Sequence, residues 1–384
     1  MNEVLKGQRV LLRADLNLPM KHGTFTDDFR LRALLPTLDN LQKEKKIILV
    51  THLGRPKQKN ESFSTKQLIP LLQKYGYSVE FEDNLEKAYK KSFSNPETIL
   101  LLENLRFFPG EQNGDPIFAE KLARLGDTYI NDAFGVIHRT DCSIIEVPKL
   151  FSTEKRSIGP LVEKELTALK QLKNSPQKPF LLILGGAKLK TKIPLIKEFI
   201  GKADTIILCP ALVFSFLKAL GKPVGKSLVD DSLLLECKKI VEQTQKTNTE
   251  ILFPVDYQIA HKTFDGPTSL IDSIEIPSDA VGISIGKKTE KLFAQNIAHA
   301  KTIFFNGAFG NPKKEKTLVG LRSVLSAMSQ SNEFTVIGGG DTVALAEQFG
   351  LSDKFSFCST GGGATLAYLA DEKLPALDLL LKHQ

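Results

Sequence analysis

Residues Phe334 to Thr342 read Phe-Thr-Val-Ile-Gly-Gly-Gly-Asp-Thr: a short apolar run, three glycines, and then the polar start of a helix-like segment. A strand passing through a glycine turn into a helix leaves backbone amides at its carboxyl end, with the helix N-terminus behind them. Outward from this stretch the same grammar recurs at Val10–Leu12, Ile47–Val50, Thr98–Leu102, Thr128–Ile130, Phe180–Leu184, Thr205–Leu208, Ile251–Pro254, Ile303–Phe305 and Phe355–Cys358. Each is an apolar run followed by a Gly-rich or polar loop. Strands alternating with helices predict parallel, doubly wound, Rossmann-like α/β sheets. About ten such strands in 384 residues predict two domains. The break is expected near Ser157-Ile158-Gly159-Pro160, read as a stop, with Leu161–Leu172 as a helix joining the halves. That sets domains at 1–158 and 174–365 with a helix at 159–173.

Composition narrows the function. Apolar residues are 42% and charged residues 25%, the mix of a globular protein with a sizeable core. No run approaches the ~18 apolar residues of a membrane span. Met1 to Gln8 is polar, and Arg13 and Asp15 interrupt the next apolar run, so a cytoplasmic location and no secretory signal are expected. Cys142, Cys209, Cys237 and Cys358 are scattered and form no CxxC pair, which argues against disulfides and zinc. A net charge of +7 allows an anionic ligand, and the absence of a Lys/Arg block argues against nucleic acid.

In open parallel sheets ligands bind beyond the carboxyl ends of the strands, so the loops there carry the function. The first half supplies cations: Asp15 and Asn17, Arg30 after Thr26-Asp27-Asp28, His52 and Arg55, Arg106 in Glu103–Phe107, and Arg139 after Asn131–Gly135 and His138. Taken singly, each Arg reads equally well as a surface ion pair, and His52 as a buried structural residue. Together they form a basic cluster that a phosphate or carboxylate would relieve, through the bidentate fork of arginine. The second half supplies glycines: Gly185-Gly186-Ala187-Lys188 with Lys192 beyond it, Asn306-Gly307-Ala308, Gly338-Gly339-Gly340-Asp341-Thr342, and Gly361-Gly362-Gly363. Such loops suit a polyphosphate. Asp341 is then a candidate Mg²⁺ contact, or alternatively a helix N-cap. Gly221–Ser227 mimics a P-loop but has three residues between its glycines, not four, and follows helix-like sequence. The residues point to a small anion on one domain, a nucleotide on the other, and phosphoryl transfer in the cleft between domains.

These motifs, in this order and nearly end to end, resemble the phosphoglycerate kinase family. The resemblance implies reversible phosphoryl transfer between 1,3-bisphosphoglycerate and ADP, giving 3-phosphoglycerate and ATP with Mg²⁺. It implies that Asp15, Asn17, Arg30, His52, Arg55, Arg106 and Arg139 hold the phosphoglycerate. Arg30, Lys188 and Lys192 would act on the transferring group. Gly185, Gly186, Lys188, Lys192, Asn306, Gly338, Gly339, Gly340, Thr342, Gly361, Gly362 and Gly363 would line the nucleotide site, and Asp341 would hold the metal. It also implies a hinge-bending monomer whose C-terminal segment, 366–384, returns to the first domain.

Departures from the family pattern lie mostly on the nucleotide side. They are Cys209-Pro210-Ala211-Leu212 for a glycine-rich loop, Ser284-Ile285-Gly286-Lys287 for Asp-Ile-Gly-Pro, and Phe305-Asn306-Gly307-Ala308 for Trp-Asn-Gly-Pro. Asn311-Pro312-Lys313 stands near the usual ribose-binding Glu, with Glu315 the nearest carboxylate, and Lys190-Thr191 lies between the two lysines. On the substrate side Asp141 and Cys142 follow Arg139. The expectation is an active kinase with altered nucleoside binding. A phosphoglycerate-binding pseudoenzyme, or a kinase for another small carboxylate, stands as the alternative.

Overall fold

The computed structural model describes residues 9–21, 23–42 and 45–381; the polar start at residues 1–8 lies outside the described residues, as does the end of the C-terminal segment, 382–384. The chain forms two compact units, divided between Thr167 and Ala168 inside the helix Pro160–Asn174; Lys373 onward belongs to the first.

The first unit is built on β1 (Arg9–Ala14), β4 (Lys46–Val50), β5 (Ser78–Glu82), β6 (Thr98–Leu102), β7 (Thr128–Asp132) and β8 (Arg156–Ile158), all parallel in the order β5-β6-β4-β1-β7-β8. A small hairpin, β2 (Met20–Lys21) with β3 (Thr24–Phe25), stands apart. Strands β1, β4 and β6 carry the aliphatic runs Val10–Leu12, Ile47–Val50 and Ile99–Leu102 because helices cover both faces of the sheet. Side chains alternate between those faces. Val10 and Leu12 pack with Leu31, Leu34 and Leu38 of the helix Phe29–Gln42. Leu11 joins Phe118 and Leu122 on the other face, together with Leu380 of the C-terminal helix Pro375–Leu380.

The second unit repeats the plan with β9 (Phe180–Leu184), β10 (Thr205–Leu208), β11 (Glu250–Leu252), β15 (Thr302–Asn306), β16 (Phe334–Gly338) and β17 (Phe357–Cys358), all parallel in the order β11-β10-β9-β15-β16-β17. Strand order reverses around β1 in one sheet and β9 in the other, the switch points at which crevices open.

The structure departs from the sequence reading in three places. The second unit also holds an antiparallel sheet, β13-β12-β14, from Tyr257–His261 (β12), Thr268–Ile271 (β13) and Ala280–Ile285 (β14). Strand β5 lacks an apolar run because it is an edge: Val79 and Phe81 pack on the core, while Glu80 and Glu82 pair with Lys91 at 2.9 and 3.0 Å. Ser157-Ile158 is not a stop but the end of β8, and Pro160 opens the following helix, where a missing N–H is harmless.

Candidate functional site

In the first unit, the loops beyond β1, β4 and β6 are tied to one another. Arg30 Nη1 lies 2.9 Å from Asp15 Oδ2 and donates to the Asn17 carbonyl at 3.2 Å. Its helix begins at Phe29, whose amide donates to Asp27 Oδ1 at 2.6 Å. Asn17 Oδ1 accepts from the Gly54 amide at 2.7 Å, holding the loop that carries His52 and Arg55. Asn104 Nδ2 donates to the carbonyls of Leu53 (2.7 Å) and Phe63 (2.8 Å), and its Oδ1 accepts from the Arg106 amide at 3.0 Å. The Arg106 guanidinium in turn donates to the Gly54 carbonyl. Arg55, Arg106 and Arg139 line one cavity of about 1040 Å³. Asp132, by contrast, is buried and structural, accepting from Thr37 Oγ1 at 2.5 Å and the Val162 amide at 3.0 Å.

His52 is 2% exposed, and neither ring nitrogen has a hydrogen-bond partner. Burial, and then the charges of Arg13, Arg139, Arg30 and Arg55, push its pKa well below the usual value, so the ring is neutral at pH 7. Asp15 stands beside it, with Oδ1 4.0 Å from Nδ1. Arg13 is fully buried: Nε donates to Ser143 Oγ at 2.8 Å, and that hydroxyl donates to Glu111 Oε1 at 2.6 Å. Burial, offset by Arg13, raises Glu111 to about 7. The sequence pattern alone does not disclose this Arg13–Ser143–Glu111 chain. Its one signal is a cation inside an aliphatic strand, a position that demands a partner.

In the second unit the glycine turns meet at the switch point of β9. The Gly185 amide donates to the Asn306 carbonyl at 3.0 Å, and a Cβ on Gly185 would stand 2.3 Å from the Gly307 carbonyl oxygen. Gly307 has φ +102°, and its amide donates to Thr342 Oγ1 at 3.1 Å. Gly339, at φ +94°, turns β16 into the helix Gly340–Gln348, and Gly362 leads into the helix Gly363–Leu369. Asn306 is 3% exposed, and its Nδ2 is a buried donor without a partner.

A cavity of about 910 Å³ opens above these turns. Gly186, Lys188, Lys192, Asn306, Gly339, Gly340, Asp341, Thr342, Gly362 and Gly363 line it; Gly185, Gly338 and Gly361 are not part of the lining. Lys192 follows a 3₁₀ turn, Leu189–Thr191, rather than a full α-helical turn, and is 6% exposed. Burial, reinforced by the charge of Lys188, lowers its pKa to about 8. Asp341 sits exposed in the first turn of its helix, whose N-cap is Gly339, so the alternative N-cap role for Asp341 falls away.

Lys226, Leu228, Lys262 and Phe264 also line this cavity. Lys262 and Phe264 lie in the loop between β12 and β13 of the antiparallel sheet, which the alternating strand–helix pattern does not predict, and Lys226 belongs to the P-loop mimic Gly221–Ser227. Among the lining residues four lysines face a single carboxylate, Asp341. The altered loops take definite forms. Ala211 holds φ +70°, a conformation that costs a non-glycine residue about 1–2 kcal/mol. Asn311 Nδ2 turns to Asp265 Oδ1 at 2.8 Å, and Glu315 is not part of the lining.

The chain is also similar over nearly its whole length to proteins of known activity. The family model described as phosphoglycerate kinase matches residues 1–372. The phosphoglycerate kinase of Dictyoglomus turgidum is 39% identical over 389 residues, covering 99% of this chain and 97% of that protein. That of Thermosipho africanus is 41% identical, covering 97% and 95%. Among solved structures, phosphoglycerate kinase from Coxiella burnetii superposes with a TM-score of 0.84 at 32% identity, covering 98% of this chain and 97% of that one. The enzyme from Pyrococcus horikoshii gives 0.87 at 26% identity, covering 98% and 96%. Matched by the family model over residues 1–372, the chain belongs to the phosphoglycerate kinase family and catalyses reversible phosphoryl transfer between 1,3-bisphosphoglycerate and ADP, with a carboxyl group as acceptor in the reverse direction.

Proposed function

We propose that the first unit, about 1–158 with the C-terminal segment, binds phosphoglycerate and the second, about 174–365, binds ADP or ATP. The observation that supports this most directly is the second cavity, where glycine turns carry free space for phosphates between four lysines and one carboxylate. Asp15, Asn17, Arg30, His52, Arg55, Arg106 and Arg139 hold the phosphoglycerate. A neutral His52 donates one hydrogen bond without adding charge, while the arginines match the carboxylate and phosphate oxygens in pairs.

In the direction of ATP formation, a β-phosphate oxygen of ADP attacks the acyl phosphate. The bond from phosphorus to the acyl oxygen breaks, and 3-phosphoglycerate leaves as its carboxylate. Positioning and positive charge carry most of such a reaction. Arg30 offsets charge on the transferring group, and Lys188 and Lys192 hold its oxygens with those of the nucleotide. Asp341 is an exposed oxygen donor on the phosphate cavity, a donor set that fits Mg²⁺, which takes one or two carboxylates plus phosphates. The ion would supply further charge neutralisation there.

With Asn311 turned to Asp265 and no second carboxylate on the lining, the ribose hydroxyls meet weak discrimination, and nucleoside preference is relaxed. The enzyme acts as a cytoplasmic monomer.

The test is Mg²⁺-dependent ADP formation from ATP on adding 3-phosphoglycerate, with GTP and 2′-deoxy-ATP alongside. Turnover that requires 3-phosphoglycerate, with similar kcat/KM for all three nucleotides, is expected. No turnover with any nucleotide from folded protein overturns the activity, leaving a binding protein or another carboxylate substrate. A strong preference for ATP overturns only the reading of the nucleoside end.

A further inference from the structure

We propose that Asp141 is a specificity-determining residue of the phosphoglycerate site, weakening its hold on anions by pairing with Arg139 while the site is empty. This rests on the assignment of Arg139 to the anionic substrate.

The cavity beyond β4, β6 and β7 carries Arg55, Lys57, Lys59, Arg106 and Arg139 on its wall, and Asp141 is the one carboxylate among the lining residues. Its Oδ2 lies 3.9 Å from Arg139 Nη1. The position offers Asp141 a different occupation, because it is the N-cap of the helix Cys142–Lys149, where an Asp ordinarily accepts from the second or third amide of the helix. It makes no such bond. The Ser143 amide donates instead to Glu111 Oε2 at 2.9 Å, and the Ile144 and Ile145 amides donate to the Asp141 carbonyl. Relieved of capping, the carboxylate is left facing the arginine.

A carboxylate there does two things. It offsets part of the Arg139 charge, and it repels an anion arriving at the same guanidinium. A ligand must displace Asp141 from Arg139 to use that residue fully. Small anions with one charged group then gain little. A ligand that spans the cavity with a phosphate at one end and a carboxylate at the other still gains from the remaining cations. Asp141 therefore trades overall affinity for discrimination against inorganic phosphate.

The experiment is calorimetric titration of the full chain and of Asp141→Asn with 3-phosphoglycerate, inorganic phosphate and ATP, at two salt concentrations. For 3-phosphoglycerate the variant should bind about three- to tenfold more tightly, and phosphate should gain at least as much. Both affinities should fall more steeply with salt than in the parent. ATP, whose cavity lies in the other unit, is the control and should not change. Asp141→Glu, which keeps the charge, should stay within about twofold of the parent.

Unchanged or weaker binding of both anions by Asp141→Asn overturns the proposal. So does a lower melting temperature with unchanged affinity, which would assign the carboxylate to the helix dipole alone. Failure of the parent to bind either anion overturns it as well. Should Asp141→Asn not fold, Asp141→Ser keeps a capping residue without the charge and carries the same expectation. Anion binding without turnover would sink the assigned activity and leave this inference standing.

Discussion

Gly185 and Gly307 face each other backbone to backbone, so closely that a Cβ on Gly307 would stand 2.1 Å from the Gly185 carbonyl oxygen and 3.2 Å from Lys192 Cε. Two turns from separate strands are thereby locked together beneath the lysine. Gly307 is doubly constrained, since its φ of +102° is one that side chains rarely adopt.

Gly307→Ala should cost about 2–3 kcal/mol of stability and weaken ATP binding by shifting Lys192. Gly340→Ala is the counterpart. A Cβ there meets nothing within 4 Å, and the position opens a helix, so stability should hold or rise by about 0.5–1 kcal/mol. Its methyl enters the cavity, so ATP affinity should fall about tenfold. Thermal melts with and without ATP check both, and equal effects of the two substitutions would refute the assignment.

Much of this half of the site can be read in the sequence because its rule is local. An apolar run followed by glycines needs only neighbouring residues to be recognised, and Gly339 and Gly362 take positive φ at such turns. Lys262 and Phe264 escape such reading because they reach the cavity from an antiparallel loop that has no repeated grammar. Lys226 escapes for a related reason: Gly221–Ser227 fails as a phosphate motif, yet tertiary packing brings one of its residues to the cavity. Arg13 shows the same limit in the first unit, where its partners Ser143 and Glu111 lie some hundred residues away and only the fold joins them.

Lys192 should give the nucleotide step its alkaline limb. Burial, then Lys188, brings its pKa to about 8, so in free enzyme the positive charge is lost as pH rises through that value. Bound polyphosphate favours the charged form. The profile of kcat/KM for ATP should therefore fall above pH 8, while that of kcat turns down at higher pH. Lys192→Arg should move the first limb upward, and a kcat/KM profile flat to pH 10 in the parent would contradict this. For stability the sign is opposite. The native state binds fewer protons than the unfolded chain between about pH 8 and 10.5, so the cost of burying the ammonium is present at pH 7 and is relieved as pH rises through that window.

His52 sets a limit on the acid side. Its folded pKa lies well below 6.5 because of burial and then the surrounding arginines, so the unfolded chain takes up a proton that the native ring refuses. Stability should fall as pH drops below about 6.5, and His52→Gln should flatten that slope. Nitrogen-detected NMR is expected to show a neutral His52 ring at pH 6. A ring charged at that pH would remove the argument, together with the neutral donor role assigned to it.

Arg13 and Glu111 should behave as one buried charge pair bridged by Ser143 Oγ. Glu111 is raised to about 7 by burial, with Arg13 holding it down, so the native state holds a proton there that the unfolded chain has released between about pH 4.5 and 7. The stability that this contributes is full at low pH and is lost as pH rises through 7. Arg13→Met removes the compensating cation. At pH 8 it should cost about 3–5 kcal/mol, the penalty of an uncompensated buried carboxylate. At pH 5, where Glu111 is already neutral, the loss should be smaller. Glu111→Gln strands the arginine instead and should abolish the slope between pH 4.5 and 7. Combined with Arg13→Met it should recover part of the loss, because neither charge is then left alone. Urea unfolding of the four proteins at pH 5 and 8 measures this cycle. Equal losses at both pH values with strict additivity would show that Arg13 is held by packing and not by Glu111.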